Sequence, residues 1–240
     1  NWTWATSGSN DHTLTAPVGL ISNLRLDANG GGDVMDGGEG DDTLTASGVL
    51  QLSLTGGAGV DTFVLTAQQY RTLLEGTRTF YNYSGGYNET SVSADPVLIT
   101  DFAAGAGGDV LDYSDLLRNA SLSYDGGNPF GSGFLQLQQS GADTLLSFDA
   151  DGGGNGYVTL AVLKNVSASS LTAANFNPSY PLDGSPALGQ SMTGTSLDDA
   201  LVGGFGDDTI VGQEGNDTLD GGAGVDTLVF SIGYLRDHGD

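Results

Sequence analysis

The chain has 240 residues, among them 40 glycines, 30 acidic residues, six basic residues and no cysteine, and its net charge is −24. This charge repels the phosphates of nucleic acids and anionic lipids, so the sequence predicts a cationic partner and no nucleic-acid binding. The absence of cysteine excludes disulfides, thiol catalysis and cysteine-ligated metals. With 38% hydrophobic residues the chain can form a packed core. No apolar run reaches the roughly 18 residues of a membrane helix, so we expect no membrane insertion.

A loose repeat of nine residues begins the chain. Segments 28–36, 37–45 and 56–64 read ANGGGDVMD, GGEGDDTLT and GGAGVDTFV, and the degenerate stretch 46–55 interrupts them. The sixth position of each clear repeat is aspartate, and the eighth is apolar. The array therefore supplies three candidate metal ligands, which are Asp33, Asp42 and Asp61.

The next segment, 67–95, is rich in aromatic and basic side chains, which are Tyr70, Arg71, Arg78, Phe80, Tyr81, Tyr83 and Tyr87. Tyr and Arg carry much of the binding energy at protein interfaces, so an exposed cluster would bind a glycan or protein ligand. Aromatic pairs across strands are also common stabilisers of sheets. We therefore favour packing over the neighbouring strands and keep ligand binding as the alternative.

A strict repeat follows a predicted linker. Residues 178–193 contain three prolines and two glycines, which is typical of a linker. Residues 194–229 then divide into the nonapeptides GTSLDDALV, GGFGDDTIV, GQEGNDTLD and GGAGVDTLV. Their sixth positions are all aspartate, namely Asp199, Asp208, Asp217 and Asp226, and their eighth positions are all aliphatic, namely Leu201, Ile210, Leu219 and Leu228.

Each nonapeptide predicts a glycine turn, an aspartate and a short strand. Glycines permit the positive φ angles of a tight turn, and aspartate places a hard oxygen ligand at its end. Two nonapeptides make one coil, so turns 18 residues apart stack about 4.8 Å from each other. Equivalent aspartates then share an ion. Because one carboxylate per turn cannot fill six to eight coordination positions, backbone carbonyls should supply the others, at the turns around Gly37, Gly56, Gly203, Gly212 and Gly221.

The charge distribution links ion binding to folding. Residues 28–64 and 194–229 contain 14 acidic residues and no Lys or Arg. Stacked turns without cations would align these carboxylates, and their repulsion would oppose folding. The sequence therefore predicts several Ca²⁺ ions whose binding is coupled to folding.

The nonapeptide pattern resembles that of the RTX family, whose repeats form calcium-binding parallel β-rolls. The resemblance implies an all-β fold: a calcium-binding parallel β-roll with an antiparallel β cap module, followed by the start of a second β-roll. We expect a first, degenerate roll over 1–66, a non-repeating cap module over 67–177, the linker over 178–193, and a second roll over 194–240 that continues beyond the chain.

The cap also resembles a family module. The run Pro96–Phe102 and the segment Gly108–Leu117 look like the module that follows β-rolls in type I secreted bacterial proteins. That resemblance implies that Asp101 closes the last calcium turn of the first roll and that residues 96–177 cover its open end. It also implies export by a type I system and an extracellular or cell-surface location.

These observations favour a non-enzymatic module that binds calcium and folds in its presence. A first alternative is the ligand-binding domain of an RTX adhesin, with its site in the aromatic segment 67–95. A second alternative is an accessory module of a secreted polysaccharide-modifying enzyme. Catalysis has no support from the sequence, because the two histidines, His12 and His238, lie in a turn-like stretch and at the chain end.

Overall fold

The structure is a computed structural model that describes residues 3–6, 13–15, 24–28, 34–47, 52–76, 78–82, 88–92, 94–204, 206–222 and 224–230. Short strands dominate this part of the chain. The first are β1 (Thr3–Thr6), β2 (Thr13–Thr15), β3 (Leu24–Ala28), β4 (Val34–Glu39), β5 (Thr43–Ala46), β6 (Ser53–Ala58) and β7 (Thr62–Leu65). They are followed by α1 (Ala67–Glu75), β8 (Arg78–Asn82), β9 (Asn88–Val92), β10 (Val97–Ile99), β11 (Val110–Asp112) and α2 (Ser114–Asn119). The last are β12 (Leu135–Ser140), β13 (Asp143–Phe148), β14 (Val158–Leu163), β15 (Phe176–Asn177), β16 (Ser191–Thr193), β17 (Ala200–Val202), β18 (Thr209–Val211), β19 (Thr218–Asp220) and β20 (Thr227–Val229).

The first roll consists of two parallel sheets that receive successive strands alternately. One sheet has the order β1-β3-β5-β7-β11-β15, and the other contains β2, β4, β6 and β10 as neighbours. Each strand pairs in parallel with the strand one coil away, so that Leu44 lies beside Phe63 and Met35 beside Leu54. This arrangement confirms the predicted parallel β-roll.

The eighth positions of the repeats form the core of this roll. Met35, Leu44, Leu54 and Phe63 are fully buried between the two sheets. Each buried side chain of this size contributes about 1.5–3 kcal/mol. The strand residues on either side of them point outward because successive side chains alternate between the faces of a strand.

Both sheets continue past residue 66. Strand β10 pairs in parallel with β6, and β11 pairs in parallel with β7. The backbone N–H of Val110 donates to the carbonyl of Asp61 at 2.8 Å, although 49 residues separate them. The first roll therefore includes the strands that the sequence assigned to the start of the cap.

The cap adds an antiparallel meander of β12, β13 and β14 to one of these sheets, through parallel pairing of β14 with β10. Helix α1 covers the meander: the Gln69 side chain donates to the Leu160 carbonyl at 2.8 Å. The helix begins where the Thr66 hydroxyl accepts the Gln69 N–H and the Asp115 carboxylate accepts the Ala67 N–H. The antiparallel cap is therefore also confirmed.

Residues 178–193 are ordered against the cap. Tyr180 is fully buried, and the Asn128 side chain donates to the carbonyls of Pro181 and Ser185 at 2.7 and 2.6 Å. The last three residues of the predicted linker form β16. The second roll thus begins before the first predicted repeat, since β16 pairs in parallel with β18.

The second roll has the same construction with fewer strands. Its sheets have the orders β16-β18-β20 and β17-β19, all parallel and offset by 18 residues. Ile210 is fully buried, whereas Leu228 on the terminal strand is 37% exposed. Within the described ranges, no helix has the length and apolar character needed to cross a membrane.

Candidate metal centre

One oxygen of four sixth-position aspartates accepts a backbone N–H of the neighbouring coil; the four are Asp61, Asp208, Asp217 and Asp226. The backbone N–H of Asp42 donates to Oδ1 of Asp61 at 2.9 Å. In the second roll the N–H of Asp199 donates to Oδ1 of Asp217 at 3.0 Å, and the N–H of Asp208 donates to Oδ1 of Asp226 at 2.9 Å. These bonds stack the aspartates in register and orient their carboxylates identically.

The other oxygen, Oδ2, faces a carbonyl of the following coil across a glycine. A methyl group on Gly203 would lie no more than 2.5 Å from both Oδ2 of Asp208 and the carbonyl oxygen of Gly221. The same geometry recurs at Gly37 and Gly194, where all such distances are at most 2.8 Å. We call each such carboxylate and carbonyl a turn site; the three are Asp42 with Gly56, Asp199 with Gly212, and Asp208 with Gly221. Glycine is required at these positions because any side chain would fill the space between the two oxygens.

Some of these carboxylate oxygens are buried without a hydrogen-bond donor. Asp61 and Asp208 are at most 1% exposed, and no donor among the described residues reaches their Oδ2 atoms. A buried polar atom without a partner costs about 1–3 kcal/mol. Burial, and then the negative charges of Asp109, Asp42 and Asp101, raise the pKa of Asp61 to about 7. Asp61 therefore needs either a proton or a cation at this oxygen.

The donor set fits calcium. Carboxylate and carbonyl oxygens are the ligands that Ca²⁺ prefers, and it takes six to eight of them. Among the described residues, no three acidic, His or Cys side chains converge on one point. An ion in a turn site would therefore be held by fewer than three such side chains, together with backbone carbonyls. That equivalent aspartates share one ion stays a prediction.

The terminal turns are less complete than the inner ones. At Gly56, Gly212 and Gly221 the nearest atoms to an added methyl group all belong to the aspartate of the same turn. Asp217 and Asp226 thus lie in turns whose following coil is absent from the described part of the chain. Asp33, the remaining predicted ligand of the first array, lies outside the described residues.

Asp199 differs from the other sixth-position aspartates. Its Oδ2 accepts the backbone N–H of Thr195 at 2.6 Å and the Thr195 hydroxyl at 3.0 Å. These donors partly offset the negative charge of the Asp199 carboxylate. This turn therefore depends less on a cation than the turn of Asp208 does.

Asp101 lies against the turn of the preceding coil. Its two oxygens accept the backbone N–H groups of Gly56 and Gly57 at 2.9 and 2.8 Å. This carboxylate thus caps the turn of the preceding coil through two hydrogen bonds. Its role as a calcium ligand stays a prediction.

The sequence missed Asp109. This residue is buried, its Oδ1 accepts the Asp61 N–H and its Oδ2 accepts the Ala103 N–H, at 2.9 and 2.8 Å. It precedes β11 as Asp61 precedes β7, so it is the sixth-position aspartate of the next coil. A spacing of 48 residues concealed it, but the run Gly108-Asp109-Val110-Leu111 was a usable signal.

Fifth-position aspartates also connect the coils. Asp41, Asp198 and Asp207 each accept a backbone N–H from the next coil, at 2.8, 2.8 and 2.9 Å. They face the turn surface and pair with the N–H groups of Val60, Asn216 and Val225, respectively. The sequence did not single them out, although two adjacent aspartates recur in three of the repeats.

The aromatic candidates separate into two groups. Tyr70 is buried on α1 and packs edge-to-face against Phe148, with ring centroids 5.0 Å apart, while Arg71 is exposed and donates to the Asn119 carbonyl. Arg78, Phe80 and Tyr81 lie on β8, which pairs with β9 in a separate two-stranded antiparallel sheet. Tyr83 and Tyr87 lie outside the described residues. The environment of Tyr70 corresponds to packing rather than to ligand binding.

Comparison with known proteins gives a consistent assignment of the repeats. Residues 25–48 and 193–228 match the RTX calcium-binding nonapeptide repeat in four copies. No curated protein is significantly similar to the chain. The fold resembles the AlgE6R2 subunit of the Azotobacter vinelandii mannuronan C5-epimerase, with 24% identity, TM-score 0.43, and coverage of 72% of this chain and 89% of that one. The AlgE6R3 subunit of the same enzyme gives 22% identity, TM-score 0.42, and coverage of 71% and 79%.

Proposed function

We propose that this chain, which carries RTX calcium-binding repeats, is a module whose rolls fold when calcium binds. The observation that carries the proposal is the turn site of Asp208: a carboxylate oxygen that is buried, has no hydrogen-bond donor and faces the carbonyl of Gly221. Two oxygens with partial or full negative charge on either side of one glycine repel each other, and a cation between them would reverse that repulsion. Oδ2 of Asp42 likewise faces the Gly56 carbonyl across Gly37, which supports an equivalent site in the first roll.

The energetics support coupling between binding and folding. A site saturated a hundredfold above its dissociation constant contributes about 2.7 kcal/mol to stability. Domains are typically stable by only about 5–15 kcal/mol, so a few sites decide whether the rolls fold. The second roll depends more strongly on the ion, since among its described eighth-position side chains Ile210 alone is fully buried.

Far-UV circular dichroism during a calcium titration tests this function, with magnesium as the control cation. We expect a cooperative gain of β signal with calcium alone, because Mg²⁺ demands octahedral geometry and releases its water reluctantly. Full β structure in a chelator would refute coupled folding.

We further propose that the module is secreted by a type I system and is not itself catalytic. A chain that stays unfolded at low intracellular calcium can pass a narrow channel and then fold outside the cell. The calcium concentration there is comparable to the dissociation constants of extracellular calcium sites, about 10⁻⁴ to 10⁻³ M. The placement of the aspartates supports the non-catalytic role, because Asp42, Asp61 and Asp208 are committed to stacked turns. Hydrolase or lyase activity of the purified chain on polysaccharides would contradict it.

A second candidate function is ligand recognition by an adhesin. One observation favours it: β8 and β9 form a hairpin that joins none of the other described sheets. Such a hairpin is free to carry a recognition surface. Its test is the variant with Arg78→Ala and Tyr81→Ala, assayed for binding to glycan arrays and to cells, with Arg118→Ala, an exposed arginine outside segment 67–95, as the control. Binding that survives the double substitution would refute this function.

A further inference from the structure

A fifth nonapeptide precedes the four regular repeats of the second roll. Residues 185–193 read SPALGQSMT. Their strand β16 pairs in parallel with β18, and Met192 lies beside Ile210 at the same 18-residue offset as the other coils. In this register Gln190 occupies the sixth position. The first turn of the roll therefore has an amide where the four following turns have a carboxylate.

The backbone of Gln190 is stacked like that of an aspartate. Its N–H donates to Oδ1 of Asp208 at 2.5 Å, and its carbonyl accepts the N–H of Thr209 at 2.8 Å. The corresponding bonds of Asp208 run to Asp226 at 2.9 Å and to Thr227 at 2.7 Å. Gln190 thus holds the same place in its coil as the aspartates do in theirs.

The side chain makes the decisive contact. Nε2 of Gln190 donates to the carbonyl oxygen of Gly203 at 2.9 Å. One coil further on, the equivalent carbonyl of Gly221 faces Oδ2 of Asp208. In the first turn an N–H donor meets the carbonyl directly, whereas in the later turns two oxygens face each other.

We propose that Gln190 takes the place of a calcium ion in the first turn of the second roll and closes that turn without metal. The inference rests on the proposed function, because it assigns calcium to the later turns. Glutamine is one methylene longer than aspartate, so its amide reaches the carbonyl that a carboxylate reaches only through a cation. Its N–H supplies the positive partial charge, and the uncharged side chain adds no repulsion to the column of aspartates.

This substitution gives the roll a metal-independent first coil. That coil is joined to the cap, since the Asn128 side chain donates to the Ser185 carbonyl at its start. Close stacking is enforced at Gly189, where an added methyl group would collide with the carbonyl of Asp207. Later coils can then stack on a first coil that folds without calcium.

Calcium stoichiometry in the full chain tests the inference. The probe is ⁴⁵Ca in equilibrium dialysis at about 1 mM free ion, in the affinity range of extracellular sites. We expect the double variant Ser185→Gly, Gln190→Asp, which supplies both the glycine and the carboxylate of a turn site, to bind one more ion per chain than the parent. We expect Gln190→Leu to bind the same number as the parent, with a melting temperature lower by about 2–4 °C for the lost hydrogen bond. Gln136→Asp makes the same charge change on the exposed face of β12 and should add no ion.

The possible failures are distinguishable. A parent chain that binds no calcium would refute the proposed function itself. Normal binding by the parent with no additional ion in the double variant Ser185→Gly, Gln190→Asp would overturn this inference alone. The loss of an ion in Gln190→Leu would also overturn it, since the amide oxygen would then be a ligand. If Gln190→Leu does not fold, NMR of the calcium-loaded parent decides: the Gln190 side-chain amide protons should exchange with solvent more slowly than those of Gln136, and equal exchange rates would overturn the inference.

Discussion

The backbone N–H of Asp42 donates to Oδ1 of Asp61 across the gap between two coils, at 2.9 Å. This bond fixes one oxygen of the carboxylate and leaves the other directed into the turn. The repeated stacking of such pairs aligns a column of carboxylate oxygens along the roll.

Asp208→Asn should remove one calcium ion and weaken the second roll. Asparagine keeps the shape of the side chain, and its oxygen can still accept the N–H of Gln190, but the full negative charge is lost. At a hundredfold excess of calcium over the dissociation constant, the stability lost would approach about 2.7 kcal/mol. The measurement is the melting temperature as a function of free calcium.

The matched control for this prediction is Asp125→Asn, the same chemical change at an exposed cap residue that accepts the Gly127 N–H. It should leave the calcium dependence of the melting temperature unchanged. Identical calcium dependence in the two variants would show that Asp208 is not a ligand.

Gly203→Ala should block the same turn site without changing the charge. The added methyl group would lie no more than 2.5 Å from Oδ2 of Asp208 and from the Gly221 carbonyl oxygen. Crowding of this kind costs about 1–3 kcal/mol. We expect one fewer calcium ion per chain by equilibrium dialysis, whereas Gly127→Ala, where the nearest atom is 3.3 Å away, should bind the parental number.

The calcium-free chain should become more stable as the pH falls. The folded-state pKa of Asp61 is about 7, above the ordinary aspartate pKa of 3.8, so the folded chain binds this proton more tightly than the unfolded chain does. The resulting stabilisation is complete below a pH of about 4 and is lost as the pH rises through about 7. Thermal unfolding in calcium-depleted buffer between these limits measures it.

Asp61→Asn is the control for the pH effect, because the amide stays neutral throughout this range. Its melting temperature should vary less with pH than that of the parent. If both chains show the same pH profile, Asp61 does not contribute to it. Excess calcium should weaken the pH dependence of the parent's melting temperature, since the cation and the proton compete for one carboxylate.

Tyr70→Ala should destabilise the cap by about 3–5 kcal/mol, the usual cost of deleting a buried aromatic ring. Tyr70 is 7% exposed and packs edge-to-face on Phe148. Tyr70→Phe keeps the ring and should unfold at nearly the parental temperature. Chemical denaturation at saturating calcium gives both values. A stable alanine variant with lost ligand binding would instead assign Tyr70 to a binding surface.

The nonapeptide pattern is enough to predict the fold of the two repeat arrays. Each nonapeptide contains its own turn, ligand and inward-pointing residue, and its partner lies at a constant spacing. The burial of Leu44 and Phe63 and the stacking of Asp199 on Asp217 and of Asp208 on Asp226 follow from that local rule. The predicted coupling of calcium binding to folding could also be inferred from the sequence, because it rests only on the acidic composition of the repeats.

Which residues end the first roll and start the second is visible only in the folded chain. Asp109 completes the column of the first roll from 48 residues beyond Asp61, and Gln190 opens the second roll without a carboxylate. Neither residue stands in a nonapeptide that has the regular glycine turn followed by aspartate at the regular spacing. Each of them lies where a segment distant in sequence contacts the unpaired edge of a coil. Any group that forms hydrogen bonds with the free N–H and carbonyl groups of that edge can cover it. Periodicity predicts the interior of a stack because every coil there has the same neighbours, but the terminal coils have neighbours that only the folded chain supplies.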